Sequence, residues 1–186
     1  MLARMAPGGR AVVARAYELA QRGGSQQIGE DHLLWALLDD KQGGVLLAKV
    51  ASAPERTRLA EEMGQARRRG GVTAGEAEAL AGIGIDVDAV VGQIEQQLGA
   101  GALVGSAPSR AHRWTGPVMS GPAVRTLAEA QRHLGLTGGR SLGVEHLVLG
   151  LVSAPGVVSE SLARRGITAS SVAAALVAAK GGGAGR

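Results

Sequence analysis

The sequence predicts an all-α protein made of two pseudo-symmetric four-helix repeats packed as one globule, with a helical insertion in the first repeat. Three observations carry this prediction. First, Ile28–Leu38, reading IGEDHLLWALL, returns at Leu142–Val152 as LGVEHLVLGLV. Gly29 aligns with Gly143, Asp31 with Glu145, His32 with His146 and Leu37 with Leu151, at a constant separation, since 142 − 28 = 114 and 151 − 37 = 114. Self-similarity at a fixed register marks a duplicated unit. Second, Phe is absent and the only aromatics are Tyr17, Trp35 and Trp114. An Ala- and Leu-rich core without aromatics favours helix over sheet. Third, apolar residues recur at helical spacing between glycine stops.

Taken in order, residues 1–9 read as a frayed start, and the first helix runs from about Arg10 to Arg22, with Val12, Val13, Ala16, Leu19 and Ala20 on one face. Gly23 and Gly24 end it, as C-terminal glycines commonly do. The second helix follows Gly29; it is apolar nearly all round and so predicted to be buried on most sides. A short third helix covers about Gly44–Val50. An insertion of about 51–82 then reads as an exposed, mixed-charge helix, ERTRLAEEMGQARRR, ended by Gly70–Gly71, and a short helix at about Ala74–Ala81. The fourth helix lies in GIDVDAVVGQIEQQLG, with Val87, Val90, Val91, Ile94 and Leu98 expected inward. Repeat one thus spans 1–98, and a Gly-, Ser- and Pro-rich connector, 99–119, is predicted to be irregular. Repeat two spans 120–180, with Ser120 as a helix N-cap and helices at about 122–134, 145–152, 156–164 and 169–179. Residues 181–186, GGGAGR, read as a disordered tail.

Composition narrows the function classes. At 186 residues the chain suits one domain or two small ones in close contact. There is no Cys, which excludes disulfides, thiol catalysis and Cys-based zinc sites. No apolar run reaches the ~20 residues of a membrane span, and the first residues lack a continuous apolar signal-peptide region. The expectation is a cytoplasmic protein with no membrane partner. The formal charge is +4, with Arg67, Arg68 and Arg69 adjacent and Arg110 and Arg113 in the connector. A basic balance raises acidic partners, nucleic acid included, against the simpler account of solvated arginines.

The motifs resemble the Clp N-terminal (Clp R) double-repeat domain of ClpA/ClpC-type AAA+ unfoldases. IGEDHLLWALL and LGVEHLVLGLV are similar to the family's I-G-[TS]-E-H-[IL]-L-L-[AG]-L, and RAVVARAYELA and AVRTLAEAQ resemble the first helix of each repeat. GVLLAKV, GIDVDAVV, GVVSESLARRGI and TASSV resemble later helices. The chain departs from the pattern at Glu30 and Val144, where the family has Thr or Ser, at Asp31, where it has Glu, and at Met5 and Met119, where an aromatic is common. No G-x-x-x-x-G-K-[ST] phosphate loop occurs, so the expectation is a stand-alone domain without the ATPase modules.

The resemblance implies a non-catalytic protein- or peptide-binding module, in substrate or adaptor recognition, regulation of Clp proteolysis, or sequestration of a Clp-targeting ligand. Its implied partners are Clp ATPase or protease components, adaptors, substrates and cyclic-peptide antibiotics. In some members the acids matching Asp31 and Glu145 help bind phosphorylated arginine, which makes Asp31, Glu145 and the adjacent Glu30 the candidate ligand residues. The alternative for these acids is stabilisation of a helix N-terminus. The alternative function is a basic regulatory protein contacting nucleic acid through Arg67, Arg68, Arg69, Arg110 and Arg113. His32 and His146 read as packed, hydrogen-bonded histidines at helix starts. No catalytic set, metal-ligand cluster or cofactor motif is expected.

Overall fold

The computed structural model describes residues 5–103, 116–137 and 139–181. Repeat one contributes α1 (Pro7–Arg22), α2 (Glu30–Asp39), α3 (Lys41–Leu46), α4 (Ala53–Arg68), α5 (Ala74–Gly82) and α6 (Val87–Leu98). Repeat two contributes α7 (Gly121–Leu136), α8 (Val144–Ser153), α9 (Val157–Arg164) and α10 (Ala169–Gly181). A 3-10 turn, Ala48–Val50, extends α3, so the predicted third helix is split in two. Residues 5–9, expected to be frayed, are ordered, and residues 1–4 lie outside the described residues. Ala6 caps α1, Pro7 occupies the first turn, where its missing N–H costs nothing, and Met5 is buried.

The repeats are interlaced at their leading segments. A two-residue parallel pairing joins β1 (Gln27–Ile28) to β2 (Val118–Met119), and Met5 bridges to Leu142 in the same sense. These are one contact made twice, because 5 + 114 = 119 and 28 + 114 = 142. The hydrogen bonds obey the same rule: Ala6 N–H donates to Leu142 O at 2.9 Å, and Ser120 N–H to Ile28 O at 3.0 Å. Each repeat's first residues therefore pair with the leader of the other repeat's central helix. The end of the connector, expected to be irregular, supplies one of these strands.

A single core follows from this crossing. The central helices α2 and α8 touch each other and lean on α1 and α7 respectively. Leu33, Leu34, Leu37, Leu147, Val148 and Leu151 are almost wholly removed from water and belong to one continuous apolar cluster.

The fourth helices depart most from the expectation. α10 packs on α8 and reaches across to α3. In repeat one the reciprocal contact, on α9, is made by α4. The mixed-charge helix is thus not simply exposed; Leu59, Met63 and Ala66 are buried on one stripe of it. Its charged residues bind across the repeats. Arg165 grips Glu62 through two nitrogens (2.8 and 3.2 Å) and Glu55 through Nε (3.0 Å), and donates to Ser161 O at 2.9 Å. This grip holds the Glu55 carboxyl below the usual carboxylate range. In contrast, α6 buries only Val91; Val87 and Ile94 are half-buried, and Val90 and Leu98 are exposed. The expectation that all five face inward is corrected: with α4 already on α9, α6 has no core to enter and packs mainly on α5.

Candidate functional site

The acid–His unit at the start of each central helix is built around a cap without a side chain. Gly29 and Gly143 hold the N-cap positions of α2 and α8 in extended conformation. A Cβ on Gly29 would meet Asp31 Oδ1 and one on Gly143 would meet Glu145 Oε2, so a larger residue at either cap would push the carboxylate aside. Both carboxylates therefore curl back over the helix start, where the helix dipole favours negative charge. The capping is supplied from the third helical position instead. His32 Nδ1 accepts the Gly29 N–H at 2.9 Å, and His146 Nδ1 accepts the Gly143 N–H at 3.1 Å. An Nδ1 used as acceptor puts the proton of the neutral ring on Nε2. In repeat two that Nε2 lies 3.1 Å from Thr137 Oγ1, whose hydroxyl donates to Leu134 O.

The two acids then diverge. Asp31 is buried, and its Oδ2 accepts from Arg67 Nη2 of α4 at 2.7 Å, while Oδ1 lies 3.1 Å from His32 Nδ1. Burial opposes ionisation of Asp31, but His32 and Arg67 outweigh it and hold the carboxyl below its ordinary range. With His32 Nδ1 accepting from Gly29 N–H, the hydrogen bond donated to the Asp31 carboxylate comes from Arg67. Among the described residues no arginine pairs with Glu145. Its Oε2 accepts from Gln42 Nε2 at 3.4 Å, its Oε1 lies 3.1 Å from His146 Nδ1, and its side chain is 32% exposed. The two acids share no partner: those of Asp31 come from α2 and α4, those of Glu145 from α3 and α8.

Glu30 sits elsewhere. Its Oε1 crosses to repeat two and accepts the Val158 N–H at 3.1 Å, capping α9, while Oε2 is buried with no hydrogen-bond partner among the described residues. Glycine at the α9 N-cap leaves room for this carboxylate, since a Cβ on Gly156 would come within 2.6 Å of Glu30 Oε2. Glu30 is an inter-repeat cap turned away from solvent. The equivalent Val144 of repeat two is likewise buried. Burial, partly offset by the backbone hydrogen bond from Val158, raises the Glu30 pKa above its ordinary 4.5. A raised folded-state pKa means stability present below pH 4.5 and lost as pH climbs through the folded value. Glu30→Gln keeps the acceptor for Val158 and removes the titration. The variant is expected to be more stable than wild type at pH 8 and indistinguishable from it near pH 4, as read by thermal melts across pH. A stability difference that does not change with pH would rule this out.

The arginine run is likewise consumed internally. Arg67 binds Asp31, Arg68 binds Glu95 at 3.0 Å, and Arg69 takes both Asp88 oxygens at 2.8 and 2.7 Å. The run ties α4 to α2 and α6 and does not form an unneutralised basic face. Arg110 and Arg113, with His112 and Trp114, lie outside the described residues. His133 Nε2 pairs with Ser153 Oγ at 2.9 Å. Among the described residues no group of His, Asp and Glu is arranged to hold a metal ion, and no single helix is long and apolar enough to cross a membrane.

Comparison with known proteins accords with this geometry. The family model for the Clp repeat (R) N-terminal domain matches residues 7–74, a range that holds α1 through α4. The N-terminal domain of the Caseinolytic protease associated chaperone ClpD from Arabidopsis thaliana superposes with a TM-score of 0.52 at 14% identity, covering 95% of this chain and 96% of that one. The chain has the Clp N-terminal fold. A chain from structural work on a malarial protein secretion system is similar at a TM-score of 0.54 and 17% identity, covering 93% and 92%. No curated protein matches the sequence. Identities this low speak for the Clp N-terminal fold and not for a shared ligand. The matching model describes a non-catalytic domain family, and residues 7–74 include the first of the two acid–His units described above.

Proposed function

We propose that this protein is a non-catalytic binding module that engages protein or peptide ligands at the acid-bearing starts of α2 and α8. Its setting is Clp-type proteolysis, as a receptor for substrates or adaptors, as a regulator, or as a trap for a ligand aimed at Clp. One observation supports the ligand chemistry. Asp31 already holds a guanidinium, and Arg67, which supplies it, is half in solvent (55% exposed). A pair open to water on one side gains little from its Coulomb term, so an incoming guanidinium could replace Arg67. Glu145 is the related acid with no arginine on it among the described residues. A carboxylate there can take a guanidinium by charge-assisted hydrogen bonds, and backbone N–H groups of a helix start can take an attached phosphate. The engagement of Arg67, Arg68 and Arg69 with acids supports a protein ligand over nucleic acid.

The test is anisotropy titration of a phosphoarginine-bearing peptide, with its plain arginine counterpart alongside. Glu145→Ala is expected to weaken binding about tenfold, the scale of one charge-assisted contact. Arg67→Ala is expected to strengthen it severalfold or add a second site by freeing Asp31. Binding indifferent to Glu145→Ala would sink this reading.

A further inference from the structure

The α5–α6 hairpin is not needed by the core, yet it is fixed in place. Since α4 supplies the packing on α9, the hairpin adds only Val91 to the buried set. It is nonetheless anchored at several points. Arg69 and Arg68 hold Asp88 and Glu95 of α6, Gly101 N–H donates to Glu95 Oε1 at 3.0 Å, and Gly75 N–H at the head of α5 donates to Glu160 of repeat two at 2.9 Å. Capping boxes and caps set both helix starts: Thr73 and Glu76 exchange bonds at α5, and Asp86 accepts from Ala89 N–H at α6.

What this anchored hairpin presents is apolar and acidic. Ile83 and Leu98 are each about three-quarters exposed, with Ile85 and Val90 nearly half exposed. Val72, Ala79, Leu80 and Ile83 line an open groove of about 530 Å³, with Glu76 at its edge. Exposed aliphatic residues gathered on one element mark an interaction surface more often than scattered ones do. The charge is as uneven as the hydropathy. Residues 74–98 carry Glu76, Glu78, Asp86, Asp88 and Glu95 and no Lys or Arg, in a chain of net +4, so the remainder carries +4 + 5 = +9. Asp88 and Glu95 are neutralised by Arg69 and Arg68; among the described residues no basic side chain pairs with Glu76, Glu78 or Asp86.

We propose that the α5–α6 hairpin is a docking surface for a basic amphipathic helix of a partner protein, its aliphatic face lying along Leu80, Ile83 and Ile85 and its Lys or Arg flanks facing Glu76, Glu78 and Asp86. A helix laid in an apolar groove gains affinity from its buried aliphatic anchors, and complementary charge at the rim sets partner choice and on-rate. This surface is separate from Asp31 and Glu145 and does not depend on their role.

The experiment uses a fluorescein-labelled amphipathic helical peptide of Leu and Lys. Its Leu/Glu counterpart and a scrambled Leu/Lys peptide of equal composition serve as controls, and all are titrated into the full chain by anisotropy. The Leu/Lys helix is expected to bind and the other two to bind at least about tenfold more weakly. Ile83→Asp is expected to cost about tenfold or more by removing an apolar anchor. Glu78→Lys, at an exposed site that caps nothing, is expected to cost severalfold and to flatten the salt dependence. Asp31→Ala/Glu145→Ala should leave this binding unchanged, which separates it from the ligand site above. Leu98→Asp serves as a second apolar variant, and circular dichroism checks that each variant is folded. Equal binding of all three peptides, or no effect of Ile83→Asp in folded protein, would overturn the proposal. So would a self-associated chain that Ile83→Asp converts to monomer, which would make a second copy the occupant.

Discussion

Leu151→Ala is expected to lower the unfolding free energy by about 2–5 kcal/mol, the range for truncating a fully buried leucine, and to do so in both repeats together. Leu151 is completely buried on α8, in the same apolar cluster as Leu33, Leu34 and Leu37 of α2. The crossed pairings of Met5 with Leu142 and Ile28 with Met119 leave neither repeat a closed surface of its own. A repeat that opened alone would expose the other's central helix and break its leader's backbone bonds. Native-state amide exchange distinguishes the cases. The slow amides of α1 and α2 should lose protection by the same free energy as those of α7 and α8. Protection lost only in repeat two would mean that the repeats are separate cooperative units. Leu37→Ala, at the equivalent position, should produce the same global loss from the other side.

Much of this architecture was legible because duplication doubles a weak signal. The Gly–x–acid–His unit gave the two central helices, their partners and the apolar residues between them. What the sequence concealed was decided by contacts between distant residues. The pair Gly84–Ile85 and Gly166–Ile167 shows why. Both glycines sit at positive φ (+86° and +70°), and both isoleucine N–H groups return to a carbonyl of the preceding helix, Leu80 and Leu162. The local helix-end motif is the same, so the sequence match is real at the backbone level. Yet Ile167 is buried and Ile85 is 43% exposed. Matching the motifs made the helix after Gly84 look like the counterpart of α10.

The helix that packs in that place, α4, announces itself poorly. Its buried stripe is only Leu59, Met63 and Ala66, and its acids and arginines, which read as a solvated surface, are partners of Arg165, Asp39 and Asp31. Glu30 was misleading for a related reason. It stands beside a candidate ligand acid, but its function is set by Val158, 128 residues away. Asp31 and Glu145 are legible in the sequence as the acids in the first turns of α2 and α8. That one of them would be covered by Arg67 depended on where α4 docks.

The same limit of local reasoning governs Gly150, where propensity and packing pull in opposite directions. Gly150 lies inside α8, a position where alanine would be favoured by about 1 kcal/mol on helix propensity alone. A Cβ there would lie 2.4 Å from Thr126 O, 2.7 Å from Ala130 N and 2.8 Å from Ala130 Cβ. Two of these are backbone atoms of α7, which cannot swing aside as a side chain can. Overpacking of this kind costs about 1–3 kcal/mol, and here it falls on the α7–α8 contact. Gly150→Ala is therefore expected to lower the urea midpoint despite the better helix former. Repeat one provides the internal comparison. Ala36, the counterpart of Gly150 since 36 + 114 = 150, is buried with its methyl accommodated, opposite a helix carrying Val12 and Ala16 where α7 carries Thr126 and Ala130. Ala36→Gly should also destabilise, by the lost propensity and about 0.8 kcal/mol for a buried methyl-sized group. Exchanging each repeat's residue for the other's thus harms both, because each residue is matched to the spacing of its own helix pair. A Gly150→Ala protein as stable as wild type would mean that α7 can move off α8 at little cost, and that the spacing of this pair is not set by Gly150.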